Sequence, residues 1–140
     1  MKKIPTIQTA HAVLLLSGKY LLQLRDNKPT IAAPGEWSLF GGKLQKGETP
    51  LQAVHREIFE ELNINPSDYV PLWHEDYYVD IEKTIVRTWF FEADVTSIWV
   101  RHRLNEGQDV KSFPFNELFK LQIPEVMRKV IERHYNGNKF

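Results

Sequence analysis

One stretch restricts the fold more than any other: residues 42–64, GKLQKGETPLQAVHREIFEELNI. It holds a helix whose two ends are both written in the residues. Thr49 is a good N-cap, Pro50 stands at the first helical position, and Gln52 completes a capping box with Thr49. Leu51, Val54, Ile58 and Leu62 recur at three- and four-residue spacing and form an apolar stripe. Asn63 tolerates the left-handed conformation that stops a helix, and Pro66 prevents continuation. The pattern predicts a helix over Pro50–Leu62.

That helix carries a charge problem. Glu57, Glu60 and Glu61 fall in one sector beside the apolar stripe, with Glu61 nearest to it. Like charges at this spacing repel, and the helix dipole disfavours anions near the carboxyl end. Arg56, four residues before Glu60, can pair with one carboxylate. A hard divalent cation would offset the rest, and magnesium suits a few carboxylates plus phosphate oxygens. Taken alone, the helix reads more readily as a surface helix with a Glu-rich face and an Arg–Glu pair than as a metal site.

The chain around it is an alternation of strands and loops. Residues 10–16 and 20–25 read as a hairpin about Ser17-Gly18-Lys19, with Arg25 closing the second strand. Residues 26–36, with Pro29, Pro34 and Gly35, read as a loop. Residues 37–40 are a brief strand that delivers the chain to Gly41-Gly42, where backbone can turn or approach a ligand closely. Residues 69–80 and 84–95 are two long strands that turn near 81–83. Residues 94–105 carry no clear pattern, and their Arg101-His102-Arg103 cluster reads as a solvated face. A loop at 105–108 leads to a short strand at 110–113, and 124–135 is a final helix with Val126, Val130 and Ile131 at helical spacing.

Length and charge narrow the class. The 140 residues, 42% of them hydrophobic, suit one packed domain over 1–140. Eighteen basic and eighteen acidic residues cancel, so no global field favours nucleic acid or membrane, and an anionic ligand needs a local site. The absence of cysteine excludes disulfides, zinc–thiolate sites and a cysteine nucleophile. Met1-Lys2-Lys3 ahead of an apolar run at 12–16 imitates a secretory signal, but the run falls short of the roughly 7–15 residues such a signal needs. The expectation is a soluble, cytoplasmic protein with a small-molecule ligand, and with neither nucleic acid nor membrane as partner. Oligomeric state is not legible.

The joint spacing goes further than any single element. Gly42 is followed after five residues by Glu48, then after seven by Arg56-Glu57, an aliphatic, any residue, Glu60-Glu61, any residue, Asn63 and an aliphatic. This run resembles the Nudix box of the Nudix hydrolases, in particular that of MutT-like members. The Gly-Gly-Lys opening and the Gly-Glu-Thr-Pro and Gln-Ala-Val steps extend the likeness. Two positions depart from it: Asn63 stands where the family has glycine, and Phe40 where many members have proline.

The resemblance implies an α/β fold, with a mixed sheet sandwiched between helices and the box as a loop–helix–loop. It implies Mg²⁺-dependent hydrolysis, with Mn²⁺ as the alternative ion, of a nucleoside diphosphate linked to a group X. The products would be a nucleoside monophosphate and X-phosphate or pyrophosphate. Gly42, Glu57, Glu60 and Glu61 would hold metal, and Glu57 or Glu106 would act as general base. Glu106 enters through Glu106-Gly107-Gln108 followed by Phe113, which is similar to a loop of MutT-like proteins. Arg25 and Lys43 would contact phosphate, while Glu48 and Arg56 would brace the box. The favoured substrate is a nucleoside triphosphate or a nucleotide sugar, X being then a phosphate or a sugar, and Trp37, Trp73, Tyr77, Tyr78 and Trp89 are the aromatics that could stack on a base. The alternative is a non-catalytic Nudix domain that senses a nucleotide, against which the intact box glutamates count.

Overall fold

The computed structural model describes residues 4–137, so the basic Met1-Lys2-Lys3 start lies outside the described residues. The strands are β1 (Ile7–Leu16), β2 (Lys19–Leu24), β3 (Trp37–Ser38), β4 (Phe40–Lys43), β5 (Val70–Val79), β6 (Thr84–Asp94) and β7 (Asp109–Phe113). The helices are α1 (Pro50–Leu62) and α2 (Glu125–Tyr135), with 3-10 turns at Thr96–Arg101 and Phe115–Lys120. All the strands join one mixed sheet, β1 lying parallel to β6 and every other pair antiparallel.

Strand alternation explains why helices cover both faces. Along β1, Ala10, Ala12 and Leu14 point into one core cluster, with Val54, Ile58 and Leu62 of α1. Val13 points into the other, with Leu22, Phe90 and Met127, Val130 and Ile131 of α2. Side chains of period two thus feed two cores at once, and the result is the α/β/α sandwich with a mixed sheet that the resemblance implies. Burying each of Val54, Ile58 and Leu62 contributes about 2 kcal/mol before chain entropy is subtracted.

The termini of α1 form as their residues dictate. The Thr49 side chain accepts from Gln52 N–H at 3.2 Å, and Gln52 Oε1 accepts from Thr49 N–H at 2.9 Å. Asn63 stops the helix at φ 58°, ψ 30°, its N–H donating to Phe59 O at 2.8 Å. The stripe is shifted from the expected one. Leu51 is 43% exposed, because the core cluster under the helix begins at Ala53, and Glu61 is buried in line with Ile58 and Leu62.

Two further expectations are corrected. The first strand starts at Ile7 rather than residue 10, because Ile7–Leu15 is zipped alongside β6 from Val86 to Asp94. The glycine pair does not follow a strand but lies inside β4, which pairs with β1 through His11↔Gly41 and Ala10↔Gly42. The chain from Trp37 to Lys43 crosses from β2 to β1 and so carries the pair into the sheet. Phe40 is fully buried in the cluster under α1.

Asn63 generates a stability prediction. A left-handed Cβ is costly for alanine, so Asn63→Ala should destabilise the protein by about 1 kcal/mol, whereas Asn63→Gly should be neutral or stabilising. Denaturant unfolding of the three proteins measures both.

Candidate active site

The carboxylates of α1 meet the glycine pair of β4. A Cβ on Gly42 would lie 2.5 Å from Glu57 Cδ and 2.6 Å from each carboxylate oxygen. Glycine is therefore what lets the Glu57 carboxylate rest against the strand. Gly41, at φ 152°, donates its N–H to Glu61 Oε2 at 3.2 Å. Adjacent glycines thus receive adjacent helical turns.

Arg56 fastens the loop to the helix. Its Nε and Nη2 donate to the two oxygens of Glu48 at 2.7 and 2.9 Å, a bidentate fork. Nη2 also reaches Lys43 O at 2.9 Å, and Nη1 donates to Glu57 Oε1 at 2.8 Å and to Glu60 at 3.3 Å. The Arg56 hydrogen bonds, with Gln45 N–H, pull the Glu48 carboxyl down to about 2. The other glutamates move the opposite way. Burial pushes Glu57 up, Arg56 opposes it, and Glu60 and Glu106 add to it. Glu61 is 3% exposed, and burial together with the charges of Glu57 and Glu106 raises it well above the ordinary carboxylate range.

Glu106 reaches this group because its loop is pinned on both sides. Arg103 N–H and Asn105 N–H donate to Leu62 O and Glu61 O, each at 2.9 Å, and Asn105 Nδ2 donates to Glu60 O at 3.0 Å. These bonds satisfy carbonyls that a helix end leaves orphaned. On the far side Gln108 N–H donates to Leu24 O at 2.8 Å and Gln108 Nε2 to Arg25 O at 2.7 Å. Asn105 and Gln108 were not singled out from the sequence, where nothing marks a residue whose partners are carbonyls tens of positions away.

The remaining candidates lie on a cleft of about 1170 Å³ that opens beside Gly41 and Gly42. Arg25 lines it, its Nε held by Ala32 O at 2.8 Å. Lys43 lines it too, its Nζ 2.5 Å from Glu82 on the turn between β5 and β6. Tyr77 and Tyr78 reach the cleft, but Trp37, Trp73 and Trp89 do not: they pack on Phe113, Phe90 and His74. The side chains of the Arg101–Arg103 cluster do not line the cleft, and His102 stacks on Trp99 at 3.6 Å.

Among the described residues no three His, Asp or Glu side chains converge on one point, because Arg56 draws Glu57 and Glu60 toward itself. The donor chemistry nevertheless fits a hard cation. Every candidate donor is an oxygen, and the buried Glu61 accepts one hydrogen bond among the described residues while two carboxylates repel it. The sign of the resulting pH effect is fixed. A carboxyl whose folded pKa is raised stabilises the fold fully when protonated, and that stability is lost as pH rises through the raised value. In chelator-treated protein Glu61→Gln should therefore melt higher than wild type at pH 8, with the gap closing toward pH 4. Saturating divalent cation should narrow the gap from the wild-type side.

The MutT protein of Methanosarcina mazei Go1 has a similar structure, with a TM-score of 0.80 over 96% of both chains at 22% identity. A MutT Nudix hydrolase of Burkholderia pseudomallei superposes at 0.76 over 89% of this chain and 95% of its own, at 25% identity. Among curated proteins, the RNA pyrophosphohydrolase of Francisella tularensis subsp. mediasiatica is 39% identical over 54 residues, which are 37% of this chain and 35% of that protein. The nucleoside triphosphatase NudI of an Enterobacter species is 36% identical over 62 residues, 44% of this chain and 33% of that protein. The chain matches about a third of the length of these relatives. The NUDIX domain model matches residues 6–134, nearly the whole sheet and both helices, and the chain belongs to the Nudix family.

Proposed function

We propose that the chain, acting as one unit over residues 1–140, hydrolyses a nucleoside diphosphate linked to X at its diphosphate. The observation that carries this is the carboxylate group beside Gly42: Glu57 and Glu61 repel one another and Glu106, and Gly42, against which Glu57 rests, lines a large cleft. Glu57, Glu60, Glu61 and the Gly42 carbonyl would hold Mg²⁺ or Mn²⁺. When bound, that ion supplies neutralisation of charge on the phosphate oxygens and an acidified water.

The chain's own residues do the rest. Water attacks one phosphorus, the bridging P–O bond breaks, and the products are a nucleoside monophosphate and X-phosphate or pyrophosphate. Glu57 or Glu106 accepts the water's proton. Arg25 offers a planar fork to phosphate and Lys43 a point charge. Lys43 must exchange Glu82 for the substrate to do so.

For the group X, the cleft of about 1170 Å³ exceeds the usual size for a drug-like ligand, roughly 300–1,000 Å³. That supports an extended substrate such as a nucleotide sugar, or a nucleoside triphosphate within a longer molecule. The names of the two curated relatives, an RNA pyrophosphohydrolase and a nucleoside triphosphatase, support keeping the nucleoside triphosphate and add an RNA to the set worth testing.

The test is a panel of nucleoside triphosphates, nucleotide sugars and a 5′-triphosphorylated oligonucleotide, assayed with Mg²⁺, with Mn²⁺ and with chelator. Metal-dependent release of nucleoside monophosphate from at least one member is expected, and Glu57→Gln should lower kcat by about 100-fold or more. Equal, near-background turnover by wild type and Glu57→Gln on every member sinks the reading. Tight binding without turnover would instead mark a nucleotide sensor.

A further inference from the structure

His11 lines the cleft and has no part in the site described above. It is 8% exposed and lines the cleft beside Thr9 and Ser38, yet its Nδ1 is sealed from solvent with no hydrogen-bond partner among the described residues. A buried polar atom left unpaired costs about 1–3 kcal/mol, so such an atom calls for a reason. The seat itself is specific. A Cβ on Gly41 would stand 2.7 Å from His11 Cγ and 2.6 Å from its Cα, so the first glycine of the pair makes room for this ring while the second makes room for Glu57.

We propose that His11 is a specificity-determining residue, whose imidazole hydrogen-bonds a polar group on the nucleoside end of the substrate. The inference rests on the hydrolase reading for the position of the diphosphate. Along β1, Thr9, His11 and Val13 share the α2 face of the sheet, whereas Ala10 and Ala12 share the α1 face, where Glu57 and Glu61 lie. A diphosphate held at Gly42 therefore leaves the rest of the molecule to run over the α2 face, past His11 toward Tyr77 and Met127. Burial, then the charge of Arg25, lower the imidazole to about 3, so the ring meets its partner neutral, as one donor and one acceptor. Phosphate charge falls to Arg25 and Lys43. Nδ1 is sealed, so the contact falls to Nε2, and with no protein group at Nδ1 to select a tautomer Nε2 can donate or accept as a sugar hydroxyl or a base edge requires.

The experiment is calorimetric binding of AMP, GMP and inorganic pyrophosphate to the full chain, wild type against His11→Phe. His11→Phe keeps a ring in the seat and removes both nitrogens. It should weaken at least one nucleoside monophosphate by about tenfold while pyrophosphate stays within about twofold, the loss of one buried hydrogen bond. His11→Asn, which restores a donor and an acceptor, should fall between the two, and it carries the same comparison should the phenylalanine variant not fold. The proposal is overturned if nucleotides and pyrophosphate weaken together, if neither weakens, or if wild type binds no nucleoside monophosphate. Failure here with metal-dependent turnover intact leaves the hydrolase reading standing. Selective loss of nucleotide binding in a protein without turnover on the panel would remove the hydrolase reading and keep His11.

Discussion

Repulsion among buried carboxylates is the constraint on which this structure depends. A carboxylate 3% exposed and facing two others is held charged only at a cost, and the fold contains several devices that contain that cost. Gly41 N–H donates to Glu61, Arg56 takes up Glu57 and Glu60, and the charge of Arg25 acts on Glu61. None of these neutralises the group completely. The remainder is available to a cation, and an anionic substrate can follow that cation into the cleft.

The same constraint explains the placing of glycine and arginine. Gly42 lets a carboxylate lie flat against a strand, and Gly41 separates the carboxylates of the α1 face from His11 on the α2 face. Arg56 holds box loop and helix through Glu48, Lys43 O and two further glutamates. One guanidinium therefore sets the geometry of the whole box. The loop at 103–108 closes the arrangement by using the unpaired carbonyls of the α1 carboxyl end as its anchor, which brings Glu106 within electrostatic reach of Glu57 and Glu61.

Much of this was legible in the residues, and for local reasons. The α1 boundaries follow from caps that act within four residues, and Asn63 takes the left-handed stop because its short polar side chain tolerates it. The hairpin of β1 and β2, the long β5–β6 pair and α2 follow from apolar periodicity. What failed was anything decided by a distant partner. Leu51 has the right spacing for burial but no core beneath it, and the glycine pair looked like a turn because its pairing partner is on β1, some thirty residues back.

The residues by themselves determined the helix, its stops, the order of strands and the spacing that marks the Nudix box. Local propensity and periodicity act over a few positions, and the chain states them directly. Tertiary structure alone decided that the glycines lie in the sheet, that Arg56 serves four partners and that Glu106 meets the α1 carboxylates. It alone also left His11 Nδ1 unpaired on the cleft floor. Each of these depends on strands and loops far apart in sequence being packed together, and no short-range pattern encodes such a meeting.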